Sequence, residues 1–329
     1  MIQAFLYRAK KQPYLFFILN ILLLFAVVFV FDRAAGKVLR HYYFKQSSGL
    51  QYRTTYALEK TKAPLLIFGS SRANHHYTPE VFEKNLGMEY YNTGRDGNHI
   101  FYQYAVLKSI LKRYTPKVII LDFTLSDLQV NAESYERLSS LLPYYSTHPE
   151  IRPVVDLRSK MEKIKLFSEV YPFNSSLFTI AKGNSPALAA EELKAKGFIP
   201  LFKTWNKPIG PPPPTDNIDD LDTVKVKYFE SFVRDYKTAG VKLFVVFSPL
   251  YIKYPHTPAA IETAKKIAAK EQVGFYDFLT DTSFTNNPSL FADRSHLNER
   301  GAKLYSEKIS ALIKEQLQIP AATGSAKNK

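Results

Sequence analysis

An acid placed three residues before a histidine can hold one ring nitrogen and leave the other free to act as a base. Asp293-Arg294-Ser295-His296 has that spacing. On one tight turn the Asp293 carboxylate takes the Nδ1–H of His296, and Nε2 faces the reacting group. A base of this kind needs a nucleophile from elsewhere in the chain. Gly69-Ser70-Ser71-Arg72, directly after the apolar run Leu65-Leu66-Ile67-Phe68, is the obvious donor. The chemistry within reach is acyl transfer through a serine.

The elements that must bring these residues together follow from periodicity. Leu65–Phe68 ends at a glycine and reads as a buried parallel strand. Pro79 to Leu86 reads as a short helix, with Thr78 as N-cap and Pro79 at its first position. Met88–Tyr91 is a second strand, running into the turn Asn92-Thr93-Gly94-Arg95-Asp96-Gly97-Asn98. Ile100 to Tyr114 has helical spacing, and Lys117–Phe123 is a third strand. Val224 to Thr238 is an amphipathic helix stopped by Gly240. Val241–Phe247 and Val273–Phe278 supply strands four and five, with a helix from Pro258 to Lys270 between them. Glu299 to Gln316 is the closing helix. Alternating strands and helices with short links predict an α/β fold: three layers, α/β/α, flavodoxin-like, around a parallel sheet of about five strands. In such a sheet ligands sit beyond the carboxyl ends of the strands. Ser70 and Ser71, Gly94–Asn98, Thr124–Asp127 and the Asp293/His296 turn all fall at that edge.

At these residues the chain resembles the SGNH/GDSL hydrolases. Gly69-Ser70-Ser71-Arg72 stands where the family has Gly-Asp-Ser-Leu. Asn92-Thr93-Gly94-Arg95-Asp96-Gly97-Asn98 matches its second block, and Asp293-Arg294-Ser295-His296-Leu297-Asn298 matches Asp-x-x-His-Leu-Asn in full. The resemblance covers roughly residues 64–127 and 223–315. It implies Ser71 as nucleophile, His296 as base and Asp293 as its orienting acid. It also implies the backbone N–H groups of Ser71 and Gly97 as oxyanion donors. The third block, Gly-x-Asn-Asp, is unmatched, and Thr124 falls nearest to the missing asparagine. Losing one oxyanion donor costs about 2.7–4 kcal/mol of barrier, so slow hydrolysis is expected unless another group replaces it. An acyl-enzyme that hydrolyses slowly suits transfer to a sugar hydroxyl. The anchor and the degenerate third block resemble the family's cell-envelope branches, some of which move acetyl or D-alanyl groups on surface polymers.

Around this core, Arg72, His75 and Asn98 are expected at the substrate. Arg72 could bind an anion or pair with a helix-face acid; His75 and His76 could line the entrance or pack. Adjacent histidines diverge, and no acidic ligand pattern accompanies them, so no metal site is read here. Gly94–Gly97 lacks the third glycine and the acidic partner of a dinucleotide fingerprint. No cofactor is expected.

Composition bounds the rest. The chain has 329 residues, no cysteine and a net charge of +14. Disulfides and thiolate metal sites are excluded. Residues 1–60 hold nine basic and two acidic residues. The excess reads as a membrane-proximal collar and solvated helix faces, not as a nucleic-acid surface.

Tyr14 to Phe31 is nearly unbroken apolar sequence. As a helix it spans about 27 Å, close to a hydrocarbon core. It exceeds a signal-peptide core, and Asp32-Arg33 stands where a cleavage site needs small neutral residues. It is read as an uncleaved single-pass anchor in the lipid bilayer. Basic residues flank both ends, so orientation rests on the commoner arrangement, with the domain on the extracytoplasmic, periplasmic side.

The expected organisation is a cytoplasmic tail and anchor over 1–33, an interfacial stem over 34–62 and the SGNH-like domain over 63–316. The domain contains an insertion at about 128–222, and a disordered tail covers 317–329. Within the insertion 134–142 is expected helical, and Pro211–Pro214 extended. The insertion serves as a substrate flap, a packing excursion or a mount for a membrane partner protein. The reading is a membrane-anchored serine esterase or acyltransferase acting on acyl esters of an envelope glycan or glycolipid. Two alternatives stay open: a plain esterase or deacetylase, and a degenerate member that binds glycan or a partner in polymer assembly.

Overall fold

The structure is a computed structural model, and it describes residues 13–211 and 218–319. The basic cluster Arg8, Lys10 and Lys11 of the expected tail, Pro212–Pro214, and residues 320–329 lie outside the described residues.

The chain begins with α1, Pro13–Lys45, the one helix among the described residues long and apolar enough to cross a membrane. None of its apolar window is buried. Residues 34–62, expected as a stem, are largely helical. Gly36 is the only glycine between Pro13 and Gly49 and no proline intervenes, so α1 runs on to Lys45. Helix α2, Gly49–Thr55, and a π turn, Tyr56–Lys60, follow.

Strand β1 is Leu65–Gly69, followed by two short helices, α3 at Ser71–His76 and α4 at Pro79–Leu86. Strand β2 is Tyr90–Asn92, α5 is Ile100–Arg113 and β3 is Val118–Asp122. Next come the short helices α6 (Ala132–Glu136), α7 (Arg152–Val155), α8 (Glu162–Lys165), α9 (Leu177–Gly183) and α10 (Ala189–Ala195). The expected helix over 134–142 is split: α6 gives way to 3-10 turns over Arg137–Tyr144, which contain Pro143.

The regular alternation then returns. Helix α11, Thr223–Ala239, is capped by Asp222, whose carboxylate accepts the Val224 and Lys225 N–H groups. It stops at Gly240, which takes φ +72°. Strand β4 is Lys242–Phe247, α12 is Ala259–Lys270, β5 is Gly274–Asp277, α13 is Thr282–Thr285 and α14 is Glu299–Gln316.

The five strands are all parallel, in the order β2-β1-β3-β4-β5. Alternate residues serve the two faces, as the period of a strand requires. Leu66, Phe68, Ile119, Leu121, Val245 and Phe247 pack with α5, α11 and α12. Leu65, Ile67, Val118, Ile120, Phe244 and Val246 pack with α4 and α14. The chain order reverses at β1, so the loop after β1 opens at the switch point where such sheets receive ligands.

The end of the 128–222 stretch returns across this edge as a strap. Asn92 N–H donates to Lys196 O, Ile199 N–H to Asn74 O, Glu299 N–H to Leu201 O, and Trp205 N–H to Phe291 O.

Candidate active site

Gly69 ends β1 at φ +146°, and a Cβ there would lie 2.8 Å from both Ala73 Cβ and Asp122 O. Only glycine lets α3 start this close to β3. Ser71 is the first residue of α3, so its own N–H has no helical acceptor.

The second half of the site comes from the loop before α14. Ala292 N–H donates to His296 O, closing the turn. Asp293 Oδ1 accepts the N–H groups of Ser295 (2.7 Å) and His296 (3.0 Å). Both carboxylate oxygens lie 3.0 Å from His296 Nδ1, and His296 Nε2 lies 2.7 Å from Ser71 Oγ. With the Nδ1 proton held by Asp293, Nε2 is the acceptor for the Ser71 hydroxyl. Burial pushes the Asp293 carboxyl up, but the hydrogen bond and charge of His296 and the two backbone N–H groups outweigh it. The net shift is downward, which keeps Asp293 ionised.

A buried histidine holds this loop in place. His76 Nε2 accepts the Leu297 N–H at 2.9 Å, so its proton is on Nδ1, which donates to Ser248 Oγ at 3.1 Å. Burial first, then the neighbouring His296, Arg72 and His75, push the His76 pKa well below the ordinary value. Its neighbour His75 sits at the strap, with Nδ1 2.7 Å from Ile199 O and its ring edge-on to His296 at 5.4 Å. Asp96 accepts from Asn74 Nδ2 at 2.6 Å and lies 3.7 Å from His75 Nε2.

Three expected roles do not fit their surroundings. Arg72, expected at the substrate, is turned inward. It is 4 % exposed, donates to Ser248 O and Phe123 O, lies 3.4 Å from Asp122 and stacks on Phe247. Its guanidinium borders the cavity, but two of its N–H groups are given to these backbone carbonyls and its charge faces the buried Asp122. Asn98 is also turned away. Its amide donates to Asp96 O, its carbonyl accepts from Ser140, and it lines a separate cavity with Arg95 and Arg137. Thr124, expected as an oxyanion donor, gives both its N–H (2.7 Å) and its hydroxyl (2.9 Å) to Asp127 Oδ2. Neither proton is left for an oxyanion. Gly97 takes φ +68° against the Arg137 guanidinium. Its N–H has no hydrogen-bond partner among the described residues.

Ser71 and His296 open onto a cavity of about 320 Å³. Polar groups from Ser70, His99, Ser126 and Gln129 line it, together with an apolar wall of Phe247, Leu250, Ile252 and Tyr254. Two residues here were not singled out by sequence. Ser126 lines the cavity and its hydroxyl makes no hydrogen bond among the described residues, so it is a free donor close to where the missing asparagine was sought. His99 lies 3.3 Å from Thr124 Oγ1, and burial, with Lys225, Arg137 and Arg72 nearby, pushes its pKa down to about 3.

Behind the loop that carries Ser126 and Gln129 lies Lys225, fully buried, which donates to Ser126 O, Gln129 O and Ser134 Oγ at 3.0, 2.7 and 2.8 Å. Its signal was available. Lys225 falls on the stripe Phe229, Phe232, Val233, Tyr236 that α11 buries, so its position breaks an apolar face. Among the described residues no cluster of three His, Asp or Glu side chains is arranged to hold a metal.

No family model matches the chain, and no curated protein is significantly similar to it. Among solved structures it is similar to two acetyl xylan esterases. The AlAXEase crystal structure is 13% identical with a TM-score of 0.39, over 76% of this chain and 99% of that one. Est2A, from the rumen bacterium Butyrivibrio proteoclasticus, is 10% identical with a TM-score of 0.30, over 77% of this chain and 64% of that one. At these values neither likeness carries an assignment.

Proposed function

We propose that the chain is a membrane-anchored serine enzyme of acyl-ester chemistry, a hydrolase or O-acyltransferase, with Ser71, His296 and Asp293 as its triad. The observation that carries this reading is the unbroken relay from Ser71 Oγ through His296 to Asp293, with 2.7 and 3.0 Å links, opening on a cavity. A serine hydroxyl is a weak nucleophile until a base so oriented can take its proton.

Ser71 Oγ attacks the acyl carbonyl carbon while His296 Nε2 takes the hydroxyl proton. Asp293 stabilises the imidazolium. The N–H groups of Ser71 and Gly97, with the Ser126 hydroxyl in place of the expected Thr124, carry the oxyanion. Collapse breaks the ester bond, and His296 returns the proton to the departing alkoxide, leaving an acyl-serine. Water or a second hydroxyl then attacks that ester, deprotonated by His296, and Ser71 is regenerated.

The substrate class follows from place. On this reading helix α1 spans the bilayer and is retained, which the bonds of Asp32 and Arg33, beside its apolar run, to residues 167–170 of the folded domain support. The domain then works at the extracytoplasmic membrane surface on esters of an envelope glycan or glycolipid.

The test uses the full-length protein in mild detergent, treated with a fluorophosphonate and read by intact mass. One adduct is expected on wild type and none on Ser71→Ala or His296→Ala. An unlabelled, folded wild type would overturn the enzyme reading in favour of a glycan or partner binder.

A further inference from the structure

Residues 167–170 of the domain lie against α1, just after the short α8. The Ser168–Val170 backbone is held by Asp32, whose carboxylate accepts the N–H groups of Glu169 (2.9 Å) and Val170 (3.4 Å). Arg33 donates to Phe167 O at 2.6 Å and to Glu169 at 3.0 Å. Its guanidinium lies over the rings of both Phe29 and Phe167, at 4.7 and 4.9 Å. The fit is close: a Cβ on Gly36 would fall 2.3 Å from Glu169 Cβ.

This clamp fixes a height. The Phe29 and Phe167 ring centroids are 6.2 Å apart. Phe29 lies two residues before the end of the apolar run at Phe31, about 3 Å inside it along the helix axis. Phe167 therefore sits at the level of the hydrocarbon boundary if α1 spans the bilayer.

Phe167 and the residues shortly before it expose what water would not select. Met161, Ile164 and Phe167 are 51%, 65% and 68% exposed. Met161 and Ile164, three residues apart, share one side of the short α8 turn. Lys163 stands between them and Lys160 and Lys165 flank them, all exposed. Lys163 also reaches Asp156 and Lys165 reaches Glu162, while Lys160 has no acidic partner among the described residues. Residues 158–165 carry four basic side chains and one acidic. Apolar anchors interleaved with lysines match the boundary of an anionic leaflet, where acyl chains meet phosphate headgroups.

We propose that residues 160–167 are a second membrane contact, a foot that inserts Met161, Ile164 and Phe167 into the headgroup–acyl boundary of an anionic leaflet. The proposal rests on α1 as the membrane span. Two contacts, one through the span and one beside it, stop the domain from swinging about α1 and hold the cavity at a set attitude to the surface.

The absence of cysteine makes the test direct. Single variants Ile164→Cys, Phe167→Cys, Leu22→Cys and Lys237→Cys of the full chain are spin-labelled and placed, one copy per disc, in nanodiscs of phosphatidylglycerol and phosphatidylcholine. Collision with oxygen, which prefers lipid, is compared with collision with a polar nickel complex. Labels at 22, 164 and 167 are expected to favour oxygen several-fold over the label at 237, which is exposed on α11. Changing Lys160, Lys163 and Lys165 to glutamine, or using phosphatidylcholine alone, is expected to shift the 164 label toward water. A water-like signal at 164 and 167 with a lipid-like signal at 22 overturns the foot and leaves the anchor standing. A water-like signal at 22 as well overturns both.

Discussion

The cavity has two walls rich in polar groups, and they treat charge in opposite ways. On the triad wall Asp293 is half-exposed, with its carboxyl held below the usual range by His296 and two N–H groups. On the facing wall, the loop from Thr124 to Gln129, the titratable groups are buried and pushed toward neutrality. Burial raises Asp127 to about 6 and lowers Lys225 to about 8, each against partial compensation by its neighbours, and burial reinforced by Lys225, Arg137 and Arg72 lowers His99 to about 3. A carboxylate that must stay ionised to steady a transient imidazolium is kept partly in solvent with its partner. A group that only fixes a loop is sunk until its charge is penalised. On the proposed reading the first wall carries the nucleophile and base, while the second shapes the cavity and holds the Ser126 hydroxyl in it, and the two should fail differently.

The largest effect is expected from Asp293→Asn. The change leaves the shape of the turn but offers His296 an amide in place of a carboxylate, so the ring can settle with its proton facing Ser71. Turnover of an activated ester should fall by about 10⁴-fold. The melting temperature should stay near that of wild type, because the group is half-exposed and the Asn carbonyl can still accept the Ser295 and His296 N–H groups. Turnover within tenfold of wild type would show that Asp293 does not orient the base, and the contrast between the walls would collapse.

What the sequence made legible explains why only one wall was read from it. Leu65–Phe68 and its terminal glycine mark β1 by apolar run and stop signal, and Glu299–Gln316 has the spacing of α14 as observed. Asp293 and His296 are three residues apart, so their pairing is local. Placing Ser71 opposite His296 needed only the order of strands, since every βα link opens at one edge.

Helix α3 was invisible. Arg72, Ala73, Asn74, His75 and His76 are all buried, so no polar face marks a period. Their partners Ile199, Ser248 and Leu297 lie 124, 172 and 221 residues away. The commitment of Thr124 to Asp127 is a capping detail, and it decides which hydroxyl is free. The return of the strap at 196–205 depends on backbone hydrogen bonds, which carry no side-chain signature.

The next effect tests the shape wall. Lys225→Met keeps the length of the side chain and removes the cation that ties Ser126 O, Gln129 O and Ser134 together. Leaving a buried acceptor without its donor costs about 1–3 kcal/mol. Chemical unfolding in mild detergent should register a loss of that order. The fraction still folded should nonetheless label with fluorophosphonate, because the Ser71–His296–Asp293 relay makes no contact with Lys225, and any slowing measures how far the Ser126 hydroxyl depends on the Lys225 bond to Ser126 O. Unchanged stability with abolished labelling would reverse the assignment of the two walls.

The smallest effect is a slope. The folded pKa of His99 is about 3, against about 6.5 for an unfolded histidine. Between those values the unfolded chain binds a proton that the native chain refuses. Stability is therefore greatest above pH 6.5 and falls on acidification by about 1.4 kcal/mol per pH unit from this residue. His76, also depressed, adds a slope of the same sign. Asp127, raised to about 6, works the other way, since below that pH the native state holds a proton the unfolded carboxylate lacks. The sum is mixed, but the difference between wild type and His99→Gln isolates one group. Unfolding free energies of the two proteins, aligned at pH 7, should diverge by about 2 kcal/mol by pH 5, with the variant the less acid-sensitive. Parallel curves would mean that His99 titrates normally beside the cavity. It would then belong with His296 among the groups that carry protons, not with Lys225 among those that hold a loop.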